Sequence, residues 1–162
     1  MISSEKEWQV YQAIDDAQAA LGVAHEPLIE EENLAHYLGK VLAAGSVTRT
    51  DLPAFVVDIP DGVDLYGCYL LSENEIHLQR SKANRWNIIH EIAHWALPNN
   101  DDPHNPEWRA CCLALLRTSV GDAAADALAD AFDDRIQPEP GSVQLRPASD
   151  FIQLLKDDIT ET

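Results

Sequence analysis

Hydrophobic residues recur at every third or fourth position along most of the chain, which is the spacing of a helix with one buried face. Residues that start or stop helices flank these stretches, among them Ser4 and Pro106 at beginnings and Gly22 and Pro98 at ends. The pattern predicts five helices, from Ser4 to Gly22, Leu34 to Gly45, Asn84 to Pro98, Pro106 to Gly121 and Asp122 to Phe132.

Between the second and third helices, three short apolar runs have the character of strands. Ala54 to Ile59 is rich in β-branched residues and lies between two prolines, and the runs 65–71 and 75–78 follow it after turn residues. Strands that follow one another through short turns usually pair antiparallel. The sequence therefore predicts an α+β fold, in which a small antiparallel sheet packs against the third helix and the other helices surround them.

The composition changes after Arg135, where prolines and glycine become frequent. Residues 1–136 are predicted to form one domain. Residues 137–162 are predicted to be a Pro-rich linker and a C-terminal tail. An apolar cluster at 151–155 predicts one short helix in that tail, which could dock on the domain and even cover its cleft.

The charge of the chain is strongly acidic, with 28 acidic and 11 basic residues and a formal net charge of −17 at pH 7. Because the basic residues are scattered, we expect no nucleic-acid partner. The acidity indicates high solubility or, alternatively, a surface that docks on a basic protein partner.

Cysteine usage and the N-terminus point to a cytoplasmic protein. Cys68, Cys111 and Cys112 make an odd count without a spaced framework, so we expect small, mostly buried thiols in a reducing compartment. The first twelve residues are polar and charged, unlike a signal peptide, and no apolar run has the length of a membrane span.

The segment His90-Glu91-Ile92-Ala93-His94 carries the most specific chemistry. It falls within a predicted helix, where residues four apart lie on the same face, so both imidazoles can reach one metal ion. Glu91 lies about 100° around the helix, beside the two histidines, where it can accept a proton from metal-activated water. The segment therefore predicts one Zn²⁺ per chain, bound by His90 and His94, with Glu91 as the catalytic base.

A zinc hydrolase usually has a third protein ligand and an open fourth position. His104 is the favoured candidate, because it lies in a loop that can turn back toward the helix and because imidazole suits zinc. Glu107 and Asp102 remain as alternative ligands or as groups that orient a ligand.

The downstream segment His104-Asn105-Pro106-Glu107-Trp108 resembles the HGPEF-type element that follows HExxH in SprT/Spartan-like zinc metallopeptidases. It is closer still to a group of small bacterial metallohydrolases, mainly actinobacterial and phage, whose substrates are unassigned. The similarity covers about residues 4–136 and includes Gln9-Val10-Tyr11, residues 54–78 and residues 122–132. It implies a zincin-like fold, His90, His94 and His104 as zinc ligands, and Glu91 as acid/base. Asn105 replaces the glycine of the pattern, and Asn is a good substitute if the position has a positive φ.

These observations predict a zinc metallopeptidase that hydrolyses peptide or protein amide bonds. In zinc peptidases of this type, an edge strand pairs with extended substrate beside the metal helix, which here is the predicted helix that carries His90 and His94. The run 75–78 is predicted to be that strand. His77 and Tyr69, with Tyr66 as an alternative, are candidates to bind substrate or stabilise an oxyanion. Two other interpretations remain open: a zinc-stabilised acidic binding or regulatory protein without catalysis, and a metal-free interaction protein.

Overall fold

The structure is a computed structural model that describes residues 5–23, 26–45, 47, 49–98 and 102–136, with side chains from Glu7 onward. The helices are α1 (Glu5–Ala20), α2 (Leu34–Ala44), α3 (Arg85–Ala96), α4 (Pro106–Ser119) and α5 (Asp122–Arg135), and the strands are β1 (Ala54–Ile59), β2 (Gly67–Leu70) and β3 (Glu75–Gln79). The predicted α+β class is thus confirmed. The predicted linker and tail at 137–162 lie outside the described residues.

The three strands form one sheet in the order β1-β3-β2. β2 and β3 pair antiparallel, with Gly67 opposite Leu78 and Leu70 opposite Glu75. β1 pairs parallel with β3, with Ala54 beside Glu75. The prediction of an antiparallel sheet is therefore wrong for β1.

The cause of the parallel pair is the connection between β1 and β2, which crosses from one edge of the sheet to the other instead of forming a hairpin. The buried side chain of Gln79 holds this connection, because its Nε2 donates to the carbonyl oxygens of Val63 and Leu65, both at 3.0 Å. β3 is consequently the central strand, and the expectation that it forms the edge beside the metal helix is wrong. That edge belongs to β2.

Helix α3 packs against β2, β3 and α4, and α5 packs against both α1 and α4. The fully buried Ile76 and Leu78 of β3 face this helical layer, as do Ile88, Ile89 and Ile92 of α3. Residues alternate between the faces of a strand, so His77 lies on the opposite face of the sheet. The core thus places α3 between the sheet and α4.

Cys111 and Cys112 are buried and Cys68 is partly buried, in agreement with the predicted small, unpaired thiols. In the described part of the chain, no helix has the length and apolar character needed to cross a membrane.

Candidate metal centre

Helix α3 presents two histidines one turn apart, and an N-terminal cap fixes the residue at which the helix begins. The side chain of Asn84 caps the helix by accepting a hydrogen bond from the backbone N–H of Asn87 at 3.0 Å. From this start, His90 and His94 lie on the same side of the helix, and Glu91 lies beside them. His90 and Glu91 are 0% and 1% exposed, so the helix turns its polar motif into the protein.

The third histidine comes from the turn before α4. Asn105 caps α4 by accepting from the backbone N–H of Trp108 at 2.8 Å, and Pro106 occupies the first turn. Asn105 has an extended backbone with φ −63° and ψ 169°, so this position requires no positive φ. Asn105, at the position where the HGPEF-type pattern has glycine, therefore supplies a helix cap without straining the turn.

The Nε2 atoms of His90, His94 and His104 converge. They are separated by 3.1 Å between His94 and His90, 3.0 Å between His94 and His104, and 3.4 Å between His104 and His90. A tetrahedral ion with zinc–nitrogen bonds of about 2.0–2.1 Å keeps its nitrogen ligands about 3.3–3.4 Å apart. The three histidines could therefore hold a metal ion, as predicted from the sequence.

The indole of Trp108 supports all three imidazoles and is itself fully buried. Its ring stacks on His94 at 4.6 Å between centroids and meets His90 and His104 edge-on, at 4.8 Å each. The rings are thus held in place by packing before any ion binds. Such preorganisation lowers the cost of assembling a binding site.

The protonation of the imidazoles suits a metal. Burial, together with the neighbouring histidines, holds the pKa of His90 well below its usual range, and burial and His104 do the same for His94. Neutral imidazole is the form that coordinates a metal ion. The ring of His90 also has a buried Nδ1 without a hydrogen-bond partner among the described residues.

Glu91 is a buried carboxyl group next to this cluster. Its Oε1 lies 3.4 Å from Nε2 of His90, while its Oε2 is buried without a hydrogen-bond partner in the described part of the chain. Burial, and then the negative charge of Glu7, raise the pKa of Glu91 well above its usual range. A buried carboxylate requires a compensating positive charge. A bound cation would supply that charge, so the environment of Glu91 also fits a metal.

The two alternative ligands are not part of the cluster. Within the described residues, the group whose ligand atoms come together consists of the three histidines and contains neither Glu107 nor Asp102. Glu107 is exposed in the first turn of α4. Asp102 accepts a backbone hydrogen bond from Asn105 at 3.2 Å and so helps to shape the turn that carries His104.

The candidates for substrate binding lie elsewhere. The ring of His77 contacts Asp58 and Glu75 on the outer face of the sheet, at 2.8 and 3.3 Å, away from the cluster. The hydroxyl of Tyr69 donates to Asn74 at 2.8 Å, and that of Tyr66 donates to Asp15 at 3.1 Å. The structure therefore brings none of these three side chains to the histidines.

Two residues that the sequence analysis did not single out touch the site directly. Arg109 is largely buried, and its Nη1 donates to the backbone carbonyl of His104 at 2.7 Å. Tyr11 stacks on His90 at 5.3 Å between ring centroids. Tyr11 belongs to the Gln9-Val10-Tyr11 segment of the resemblance, but its position in the apolar stripe of α1 predicts only a core residue.

Gly67 of β2 lies directly against the side chain of Glu91. A Cβ atom at Gly67 would lie 2.9 Å from Cγ and 3.1 Å from Oε1 of Glu91. Glycine is thus needed here because the carboxyl group of Glu91 occupies the space where a side chain would begin.

A comparison of the chain with known protein families, with curated proteins and with solved structures found no match. The resemblance to zinc metallopeptidases therefore depends on the motifs alone.

Proposed function

We propose that this protein is a zinc-dependent hydrolase that cleaves amide bonds of the peptide type, with a zincin-like arrangement of helix α3 against the edge of the sheet. The observation that carries the proposal is the convergence of three imidazole nitrogens beside a buried carboxyl group, one oxygen of which has no hydrogen-bond partner among the described residues. Three histidines with one open position are a common ligand set of catalytic zinc.

His90, His94 and His104 would hold the ion. A zinc ion in such a site polarises a carbonyl group and lowers the pKa of water to about 7. Proton transfer is assigned to a residue of the chain. Oε2 of Glu91, which has no partner among the described residues, can accept a proton from the attacking water and deliver it to the leaving amine. The products are a carboxylic acid and an amine.

The exclusion of water supports this assignment for Glu91. Its carboxyl group is 1% exposed and lies against the backbone of Gly67, so bulk water does not compete for its proton. The rings of Tyr11 and Trp108 both pack against His90. The same burial also favours a second candidate function, a metal-stabilised binding protein, because structural zinc sites are closed.

The first experiment is a measurement of metal content by mass spectrometry on protein purified without a metal-affinity tag. We expect about one zinc per chain in the wild type and in a control, His36→Ala, which removes an exposed histidine of α2. We expect His104→Ala to lose most of the zinc. Zinc retained in His104→Ala would contradict the three-histidine site, and no metal in the wild type after reconstitution would contradict the hydrolase.

Glu91→Gln separates the two candidate functions, since it keeps the shape of the side chain but removes the base. A hydrolase would keep its zinc and lose turnover by a factor of about 10² or more on a fluorogenic peptide library. A metal-stabilised binding protein would show the same negligible turnover in both forms.

A further inference from the structure

The outer edge of β2, on the side away from β3, runs beside Glu91. Tyr11 of α1 forms hydrogen bonds to this edge. The hydroxyl of Tyr11 donates to the carbonyl oxygen of Gly67 at 2.8 Å and accepts from the N–H of Gly67 at 3.4 Å. The backbone N–H of Gln79 donates to the carbonyl of Tyr66 at 2.9 Å. In an antiparallel pair the bonding direction alternates, so both backbone groups of Gly67 point to the outer edge. The tyrosine hydroxyl therefore occupies the position at which an added strand would bond.

Tyr11 is fixed in this position. Its side chain is 1% exposed and stacks on Tyr66 at 4.4 Å between ring centroids. Val10 and Ile14, its neighbours on α1, are fully buried in the main core. Arg135 of α5 also donates to the side chain of Gln12 at 2.8 Å. Helix α1 is thus anchored by the core and by α5, and Tyr11 forms a wall of the site.

The remaining approach to the metal centre is narrow. His90, Glu91 and His104 are 0%, 1% and 4% exposed, whereas His94 is the one histidine of the cluster that is partly exposed. Beyond Gly67, Tyr69 is the next residue of β2 whose backbone groups point outward. A ligand can therefore approach beside His94, but an extended chain that continued along β2 would meet Tyr11.

We infer that Tyr11 is a specificity-determining residue that restricts the site to short amide substrates and excludes an extended protein segment. Substrate recognition by strand addition requires consecutive free backbone groups along an edge. Here the pair of groups nearest to Glu91 is already bonded. This inference rests on the proposed hydrolase function, and it concerns which molecules reach the metal.

The test uses two ligands of different length on the full chain loaded with Co²⁺, whose visible absorption reports binding at the metal. Acetohydroxamate is the short ligand, and a succinyl hydroxamate that carries a leucyl-tryptophan amide is the long one. In the wild type, we expect the long ligand to bind no more tightly than the short one. In Tyr11→Ala, we expect the ratio of the dissociation constant of the long ligand to that of acetohydroxamate to fall at least about tenfold, whatever common change the loss of the ring beside His90 causes.

Tyr37→Ala is the matched control, because it removes a partly buried tyrosine ring of α2 that is packed elsewhere on the core, and it should behave as the wild type. Tighter binding of the long ligand in the wild type would overturn the inference, even if Tyr11→Ala did not fold. An equal change of both ligands in Tyr11→Ala would overturn it as well. A wild-type chain that takes up no cobalt would overturn the proposed function itself.

Discussion

Gly67→Ala tests whether the carboxyl group of Glu91 occupies the position that the structure gives it. The added Cβ would lie 2.9 Å from Cγ of Glu91 and 3.0 Å from the backbone oxygen of His77. Carbon atoms in contact are normally about 3.5–4.0 Å apart, so the side chain of Glu91 would have to move by at least about 0.6 Å in a fully packed region. Gly67 does not have a positive φ, so the backbone itself would accept alanine.

Overpacking of this kind costs about 1–3 kcal/mol of unfolding free energy. We expect Gly67→Ala to lose that amount in urea denaturation, measured with a chelator present so that metal binding does not contribute. Gly39→Ala is the control, because Gly39 lies in α2 and its Cβ would meet nothing within 4 Å. That change should stabilise the protein by about 0.5–1 kcal/mol, as replacement of a helical glycine usually does.

A double-mutant cycle identifies the contact. In a Glu91→Ala background, Cγ and the carboxyl oxygens are absent, so the cost of Gly67→Ala should fall by at least about 1 kcal/mol. The contact with the His77 oxygen remains and accounts for the rest. An equal cost in both backgrounds, within about 0.5 kcal/mol, would refute the placement of Glu91 against β2.

Three further predictions concern the metal, its support and the sheet. Zinc at about 100 times its dissociation constant should raise the unfolding free energy by about 2.7 kcal/mol, and EDTA should abolish the gain, as seen in thermal denaturation. Arg109→Met should weaken zinc binding about 10- to 100-fold in a competition with a chromophoric chelator, because it frees the carbonyl of His104. Partial burial lowers the pKa of His77, but its hydrogen bonds to Asp58 and Glu75 outweigh this and raise it. The wild type should therefore gain up to about 1 kcal/mol of unfolding free energy over His77→Gln below about pH 6.5, and this gain should be lost as the pH rises through the raised pKa of His77.

Because the pKa of His77 is raised in the folded state, its charged contacts contribute fully to the unfolding free energy below the unfolded-state pKa of about 6.5. This contribution disappears as the pH rises through the folded-state pKa. A difference that grew with pH would contradict the contacts of His77. Arg117→Met, which removes an exposed arginine of α4, is the control for Arg109→Met and should leave zinc affinity unchanged. A Tm that does not respond to zinc or EDTA would exclude a bound ion at the cluster.

Local signals predicted the elements well, because each depends on residues that are close in the chain. The Asn84 cap, the Pro98 stop and the apolar period between them define α3 within about two residues of its bounds. Pro106 similarly predicted the start of α4, whereas the cap that Asn105 supplies was not predicted. The convergence of His90 and His94 is a consequence of helical spacing. The prediction of His104 as the third ligand required only that the short loop after α3 turn back toward that helix.

Strand order was not predictable in the same way, since it depends on pairings between distant residues. The pairing of β1 with β3 is made possible by Gln79, whose buried amide bonds the loop that crosses the sheet. A single glutamine at the end of a strand carries no local signal for such a role. Because β3 was expected at the edge that β2 occupies in the structure, the substrate edge was assigned to β3 instead of β2.

Tyr11 illustrates why the access to the site was the hardest feature to predict. Its ring continues the apolar stripe of α1, and its hydroxyl bonds to a backbone group 56 residues away. The hydrophobic period accounts for the ring and leaves the hydroxyl unexplained, although a buried tyrosine hydroxyl needs a partner. In this fold the partner is the edge strand beside Glu91. The residue that sequence patterning assigns to the core is therefore also the one that determines which molecules can reach the candidate metal centre.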